Sequence, residues 1–215
     1  MPDLFKWKLA TKDLGLEELE DKQFDFMMSN TKSEYIFVFD TSGSMHGTRI
    51  EKAKDALKFF LSSLPADSFF NVIFFNSYFY PAFQGSSVKL TQENLASVLQ
   101  KIDQSHAGGG TEMYPAIEHV YTLENIPGYT KTIFVLTDGD IGNTNQVTSL
   151  VRSKSVHGYS SLYSIGIGSG ASEFLVQEIA KSGKGKSVMI SDEEDPKDKL
   201  GSLLAASLIP RLTNV

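Results

Sequence analysis

The chain has 215 residues, a formal net charge of -6 and no cysteine. Its length supports one well-packed domain, and 41% apolar with 21% charged residues is ordinary for a globular protein. The missing cysteines exclude disulfides and thiolate chemistry, and the acidic balance without a basic stripe argues against nucleic acid as the main partner. The sequence shows neither an apolar signal core nor a membrane-spanning run, so we predict no membrane insertion and a cytoplasmic location, with a secreted parent protein as the alternative.

The N-terminal segment, residues 1–33, differs from the rest and is predicted to be a separate arm before a main domain at 34–215. It contains an acidic cluster between Leu14 and Asp25, which is typical of a solvated arm or short helix. A partner-binding role is the alternative. The alternating stretch 24–27 could add a short strand to a sheet edge.

Six short apolar runs predict six β-strands. They lie at residues 35–40, 69–75, 78–83, 132–137, 162–167 and 186–190. The third follows the second after an Asn76-Ser77 turn, so it must run antiparallel, and Pro81 restricts it to an edge. The alternation of strands with helices predicts an α/β fold: a doubly wound, Rossmann-like, mostly parallel six-stranded sheet with one antiparallel edge strand and helices on both faces.

Apolar residues at helical spacing predict the intervening helices. They lie near residues 50–64, 91–102, 114–121, 146–156, 172–179 and 197–208. Thr91 and Ser172 are the expected N-caps of two of them, and Pro65 ends the first.

Three loops carry oxygen-bearing side chains to what should be one rim of this sheet. Asp40, Ser42 and Ser44 follow the first strand, Thr111 follows three glycines, and Asp138 ends the fourth strand. Open α/β sheets bind ligands at the carboxyl ends of their strands, and hard oxygen donors suit a small cation such as Mg²⁺. In the simpler interpretation these hydroxyls only cap helices and turn loops.

At these three loops the chain resembles the metal-ion-dependent adhesion site of a von Willebrand factor A (VWA) domain. The resemblance runs from about Tyr35 to the end and rests on Asp40–Ser44, the Gly-Gly-Thr111 loop and Thr137–Gly139. It is strongest to the branch found in inter-alpha-trypsin inhibitor heavy chains and their intracellular relatives. The stretches that resemble that branch are Arg49–Lys54, Leu64-Pro65, Phe70–Ile73, Gly166–Gly168 and Leu208–Pro210.

The resemblance implies a metal site made of five residues. Ser42, Ser44 and, in some states, Thr111 would contact Mg²⁺, with Mn²⁺ or Ca²⁺ as substitutes, and Asp40 and Asp138 would act directly or through water. Because hydroxyls contribute no formal charge, the cation stays under-neutralised and can accept an Asp or Glu carboxylate of a protein partner. The implied function is protein–protein interaction or adhesion within a larger multidomain protein, without catalysis. In some relatives the last helix, here 197–208, slides and switches the affinity of the metal loops.

Several other side chains near these loops have simpler expected roles. Glu112 and Asp140 are expected to be rim charges, and Met45 to plug the core, although Met45 and Tyr114 could face a partner. The histidines show no zinc spacing and are expected to pack or face solvent. They are His46, His106, His119 and His157.

Parts of the sequence raise three alternative functions. The stretch 180–187 nearly spells a phosphate-binding loop, but its predicted context is helix, loop, strand, whereas a P-loop needs strand, loop, helix. A Mg²⁺-dependent phosphotransferase or phosphatase would use Asp40 as nucleophile, yet Ser42 stands where a second acid is needed and no lysine is placed near the rim. The third is a scaffold domain with a vestigial metal site.

Overall fold

The computed structural model describes residues 32–139, 141–156 and 160–208. The arm predicted over residues 1–33 falls outside these ranges except for its last two residues. Asp140, His157 and the Ile209-Pro210 end of one family-like stretch also lie outside the described residues.

The described chain alternates strands and helices. The strands are β1 (Ser33–Asp40), β2 (Phe69–Phe75), β3 (Phe79–Pro81), β4 (Val88–Lys89), β5 (Thr130–Thr137), β6 (Ser160–Ile167) and β7 (Lys184–Ile190). The helices are α1 (Thr48–Ser63), α2 (Gln92–Gln104), α3 (Met113–Thr122), α4 (Thr144–Ser155), α5 (Glu173–Ser182) and α6 (Lys197–Leu208). Thr91 and Ser172 cap α2 and α5 as predicted, since their hydroxyls accept from the backbone N–H three residues on.

The sheet order places the candidate loops together. Its order is β3-β2-β1-β5-β6-β7, with parallel pairs from β2 to β7. From β1 the chain builds outwards to β2, and then returns to the other side of β1 to add β5, β6 and β7. The carboxyl ends of β1 and β5 therefore flank the point where the winding reverses, which is where open α/β sheets form a ligand crevice.

The predicted doubly wound fold is confirmed, with one addition and several shifted boundaries. The antiparallel edge strand is present, and a two-residue strand, β4, also pairs antiparallel with β2. β1 and β5 begin earlier than their apolar runs because the charged residues Glu34 and Lys131 face each other in register. Their side chains are buried, with Lys131 Nζ 3.8 Å from Glu34 Oε2.

Two hydrophobic layers sandwich the sheet, and β1 shows why. All eight of its residues are buried, with alternate side chains in opposite layers. Phe37 packs in one layer at 5.4 Å from the ring of Phe134, whereas Val38 lies in the other layer. Within the described ranges, no helix combines the length and apolar character needed to cross a membrane.

The glycine-rich stretch 180–187 joins α5 to β7, so its order is helix then strand, as predicted. Its glycines serve close backbone packing. A Cβ at Gly185 would lie 1.9 Å from the carbonyl oxygen of Leu162 on β6. This geometry leaves no strand-to-helix turn in which a phosphate could be held.

Candidate metal site

The first loop of the site begins where β1 ends. Asp40 is the last residue of that strand and its side chain is fully buried. Its Oδ1 accepts a hydrogen bond from the backbone N–H of Ser42 at 2.8 Å. A single 3-10 turn, Gly43–Met45, follows, and the buried Met45 side chain anchors it in the core. The turn holds the hydroxyls of Ser42 and Ser44 3.0 Å apart.

The loop after β5 completes a chain of polar contacts with the first loop. Thr137 Oγ1 donates to Asp40 Oδ2 at 2.5 Å and accepts from the N–H of Gly139 at 3.0 Å. Ser44 Oγ donates to Asp138 Oδ1 at 2.7 Å. Two buried carboxylates and three hydroxyls from distant parts of the sequence therefore form one connected group.

The glycine loop before α3 is tied to both of these loops. The N–H of Gly43 donates to the carbonyl of Gly109 at 3.0 Å, and the N–H of Gly108 donates to the carbonyl of Thr41 at 2.9 Å. Thr111 meets the loop after β5 through its methyl group, which lies 3.1 Å from the position a Cβ would take at Gly139. The structure thus brings all five predicted residues to one rim, four through hydrogen bonds and Thr111 through this close approach.

The turn between β2 and β3 supports the glycine loop from the far side. Ser77 Oγ accepts from the N–H of Gly110 at 2.7 Å, and the carbonyl of Asn76 accepts from the N–H of Glu112 at 2.7 Å. Gly109 has φ of +82°, and a Cβ there would lie 2.9 Å from Ser77 Oγ. Glycine is therefore required at this position for both conformational and steric reasons.

The oxygen spacing and the donor types fit an octahedral divalent cation. Neighbouring ligands around Mg²⁺ at about 2.1 Å lie about 3.0 Å apart. The separations of 3.0 Å between Ser42 Oγ and Ser44 Oγ and 2.7 Å between Ser44 Oγ and Asp138 Oδ1 are close to that value. No cluster of three or more His, Asp or Glu side chains suited to a metal occurs in the described ranges, so any cation here depends on the hydroxyls.

Burial controls the protonation of Asp40. It raises the pKa of this carboxyl to about 6, against the lowering effect of the hydrogen bonds from Thr137 and Ser42. Without a cation, the site therefore holds a proton more readily than an exposed aspartate does. A metal must compete with that proton below about pH 6, so metal affinity should fall in mildly acidic solution.

Thr137 is expected to hold Asp40 in its ionised form. Thr137→Val removes the donor to Asp40, so the pKa of Asp40 should rise further and the metal-free protein at neutral pH should lose about 1–3 kcal/mol. Urea unfolding in EDTA measures this loss, and Mn²⁺ titration should show weaker binding. Thr132→Val, at another buried position of β5, is the matched control. Equal effects of the two substitutions would contradict the assigned role.

The structure also places the residues with simpler expected roles. Met45 plugs the core as expected, and Glu112 stands exposed at the start of α3. Tyr114 packs, partly buried, against the core rather than standing free. His46 and His106 are exposed beside a shallow depression, and His119 stacks on Phe79 at 4.9 Å.

Two residues of the site received no role from the sequence. Thr137 bonds Asp40, and Arg49 Nη1 donates to Asp138 Oδ2 at 2.7 Å. A hydroxyl next to a predicted ligand could have indicated Thr137. Arg49 gave no local signal, because its contact depends on how α1 packs beside the loop after β5.

Sequence comparisons identify the class of domain. The family model for the von Willebrand factor type A domain matches residues 33–189. The chain is 33% identical over 203 residues to a von Willebrand factor A domain-containing protein of Dictyostelium discoideum, covering 94% of this chain and 20% of that protein. It is 34% identical over 198 residues to human von Willebrand factor A domain-containing protein 5A, covering 87% of this chain and 25% of that protein.

The chain belongs to the VWA domain family, and it spans about a fifth to a quarter of the length of these relatives.

Solved structures show the same fold at low sequence identity. A von Willebrand factor type A protein from Catenulispora acidiphila superposes with a TM-score of 0.71 at 20% identity, covering 83% of this chain and 43% of that one. Proximal thread matrix protein 1 from the mussel byssus, with a zinc-occupied adhesion motif, gives 0.63 at 20% identity over 89% and 52% of the two chains. Manganese-loaded TRAP protein of Plasmodium vivax gives 0.61 at 17% identity over 85% and 73%.

Proposed function

We propose that this domain binds Mg²⁺, or Mn²⁺ or Ca²⁺ in its place, and through it an Asp or Glu side chain of a protein partner. The observation that carries the proposal is the direct link from Ser42 through Ser44 to Asp138, which joins loops 94 residues apart at a spacing suited to an octahedral ion. VWA domains are generally metal-dependent interaction modules, and the metal-bearing structural neighbours support a divalent ion in this one.

The five site residues would contact the cation in different ways. Ser42 and Ser44 would bind the cation directly, Thr111 would join them in some states, and Asp40 and Asp138 would bind directly or through water. A bound cation supplies an electrophilic centre with room for one further anionic ligand. Since Ser44 is exposed while Ser42 and Asp40 are buried, that ligand would approach from the Ser44 side.

The same geometry disfavours the phosphotransferase alternative. A nucleophilic Asp40 would need one oxygen free to reach a substrate. Its side chain is fully buried, and each oxygen accepts a hydrogen bond, from Ser42 N–H and from Thr137 Oγ1. Assays for phosphatase and ATPase activity test this alternative, and turnover that disappears in Asp40→Ala would overturn the binding proposal.

Metal binding is tested by calorimetric titration of Mn²⁺ and Mg²⁺ into EDTA-stripped protein. Ser42→Ala and Ser44→Ala should each weaken metal binding by at least about tenfold. Substitution of residues that only hydrogen-bond to metal ligands typically costs that much, and these two serines are proposed to be ligands themselves. Ser149→Ala, on the exposed side of α4, should leave metal binding unchanged. A native chain that binds neither ion would leave only the vestigial-site scaffold.

Partner capture is tested by a pull-down in Mg²⁺ and in EDTA. A partner held through a carboxylate should be retained in Mg²⁺, released by EDTA and absent from the Ser42→Ala, Ser44→Ala double variant. Equal retention of the partner in Mg²⁺ and in EDTA would show that the interaction does not depend on the ion.

The parent protein and its location are part of the same proposal. We propose that the domain belongs to a larger multidomain protein of the inter-alpha-trypsin inhibitor heavy chain-like branch and that this protein is cytoplasmic.

We further propose that movement of α6 switches the affinity of the metal loops. Lys52 of α1 donates to the carbonyls of Ser191 and Glu194, so the segment before α6 is tied to α1, the helix that follows the first metal loop. Crystals grown with and without a carboxylate ligand would test the switch, since an identical α6 position in both would remove its support.

A further inference from the structure

Arg49 carries a positive charge beside the candidate metal loops, and the proposed function gives this charge no role. It lies in the first turn of α1, and its Nη1 donates to Asp138 Oδ2 at 2.7 Å and to the carbonyl of Ser44 at 3.2 Å. The Asp138 side chain in this pair is fully buried, whereas one third of the Arg49 side chain is exposed. The guanidinium therefore contacts two of the five predicted site residues and still faces solvent.

The two oxygens of Asp138 have different partners. Oδ1 accepts from Ser44 Oγ at 2.7 Å, on the side of the hydroxyl pair, and Oδ2 is held by Arg49. This division leaves Oδ1 aimed at the oxygens that would hold a cation. Arg49 thus sets the orientation of Asp138 without occupying the position of a ligand.

The surrounding backbone makes room for this arginine. A Cβ at Gly168 would lie 2.9 Å from Arg49 Nε, and one at Gly170 would lie 3.1 Å from Arg49 Nη2. The loop after β6 is therefore built against the guanidinium. Asp192, from the loop after β7, lies near the same position, with its Oδ1 3.1 Å from a Cβ at Gly168, so Arg49 has both Asp138 and Asp192 as carboxylate neighbours.

The net charge of the metal-loaded site depends on Arg49. Two ionised aspartates and a divalent cation make a neutral group, to which a partner's carboxylate is attracted only weakly at a distance. Arg49 adds one positive charge in direct contact with Asp138 and raises the net charge of this group to +1, while the exposed Asp192 on its other side offsets part of that charge. The same charge repels the incoming cation, so one residue trades metal affinity for anion affinity.

We infer that Arg49 is a positioning and charge-setting residue that makes the metal-loaded site a carboxylate acceptor. The inference rests on the proposed function. Coulomb's law for a unit charge and a divalent ion at about 6 Å in water gives roughly a tenfold effect on binding. For a singly charged carboxylate at the same distance the free energy is half as large, which is roughly a threefold effect. Removal of the Arg49 charge should therefore tighten Mn²⁺ binding by about tenfold and weaken carboxylate binding by about threefold.

The test compares Arg49→Gln, Arg49→Lys and Lys58→Gln with the native chain at one pH and one ionic strength. Mn²⁺ is titrated by calorimetry with and without acetate, the simplest carboxylate, and the tightening of Mn²⁺ binding by acetate measures the coupling. Lys58 lies on the same helix about 13 Å further along and pairs with Asp103, so it controls for loss of one positive charge.

The expected result is that Arg49→Gln binds Mn²⁺ more tightly but shows an acetate effect reduced by about threefold. Arg49→Lys should regain both native values, and Lys58→Gln should change neither. A purely structural role would weaken both bindings in Arg49→Gln without rescue by lysine, and that outcome, or unchanged values, would overturn the inference. If the native chain itself fails to bind Mn²⁺, the proposed function fails instead.

Discussion

Asp40→Asn should make the metal-free protein more stable while abolishing its response to metal. The pKa of Asp40 is raised to about 6 by burial, from an ordinary value of 3.8. The folded chain therefore binds this proton more tightly than the unfolded chain does. The free energy of unfolding should fall as pH rises from about 4 to about 6 and then level off, a loss of about 2–3 kcal/mol from this group.

Asparagine keeps the size of the side chain and removes the buried charge. In EDTA at pH 7 the variant should regain that 2–3 kcal/mol, and its stability should show a smaller decline between pH 4 and 6. Urea unfolding across this pH range measures both effects. Asp55→Asn, on the exposed side of α1, is the control and should change neither.

Addition of Mg²⁺ should bring the two proteins to similar stability. The native protein should gain stability by linkage, about 2.7 kcal/mol at a hundredfold excess over the dissociation constant, while Asp40→Asn should gain little. Melting curves with and without the ion measure the gain. An asparagine variant that melts below the native chain in EDTA, or that gains as much from Mg²⁺, would refute the role given to this carboxylate.

Gly185→Ala should be the most destabilising small substitution in the glycine-rich stretch 180–187. Its Cβ would lie 1.9 Å from the carbonyl oxygen of Leu162, and that atom is backbone of the neighbouring strand. β6 and β7 would have to separate or the end of β7 would have to leave the sheet. We expect a loss of more than about 3 kcal/mol in the free energy of unfolding.

Chemical denaturation measures the loss, with Gly142→Ala as the control. Nothing lies within 4 Å of the Cβ position at Gly142, so that variant should unfold close to the native midpoint. A Gly185→Ala protein with native stability would show that the close approach of the two strands is not a constraint on the fold.

The sequence predicted most of the fold because apolar runs and helix caps are local signals. In the described ranges, six of the seven strands and all six α-helices correspond to predicted elements, and Thr91, Pro65 and Ser172 correctly indicated where helices begin or end. Strand β4 was missed because two residues give no periodicity. Glu34 and Lys131 hid the beginnings of β1 and β5, since their burial depends on a cross-strand partner that a single sequence does not reveal.

For the candidate site, the sequence supplied the residue types and the structure supplied their contacts. Asp40, Ser42, Ser44, Thr111 and Asp138 could be chosen because three separate loops each follow a strand or open a helix. The position of Thr137 next to Asp138 could have indicated a polar role, but its partner Asp40 could not be predicted, and neither could the contact of Arg49 with Asp138, because each joins residues far apart in sequence. Metal occupancy, the partner and the cytoplasmic location remain predictions.

The hydrogen bond between Thr137 and Asp40 joins residues 97 positions apart, and this separation has a consequence for biosynthesis. The first cluster of oxygen donors leaves the ribosome long before the segment that completes it. A nascent chain that ends before β5 cannot assemble the group, however well its early hairpin and helices are formed. On the proposed function, an ion could then bind only after β5 has paired with β1. Translation products truncated before β5 would therefore be unable to make a cation-dependent contact.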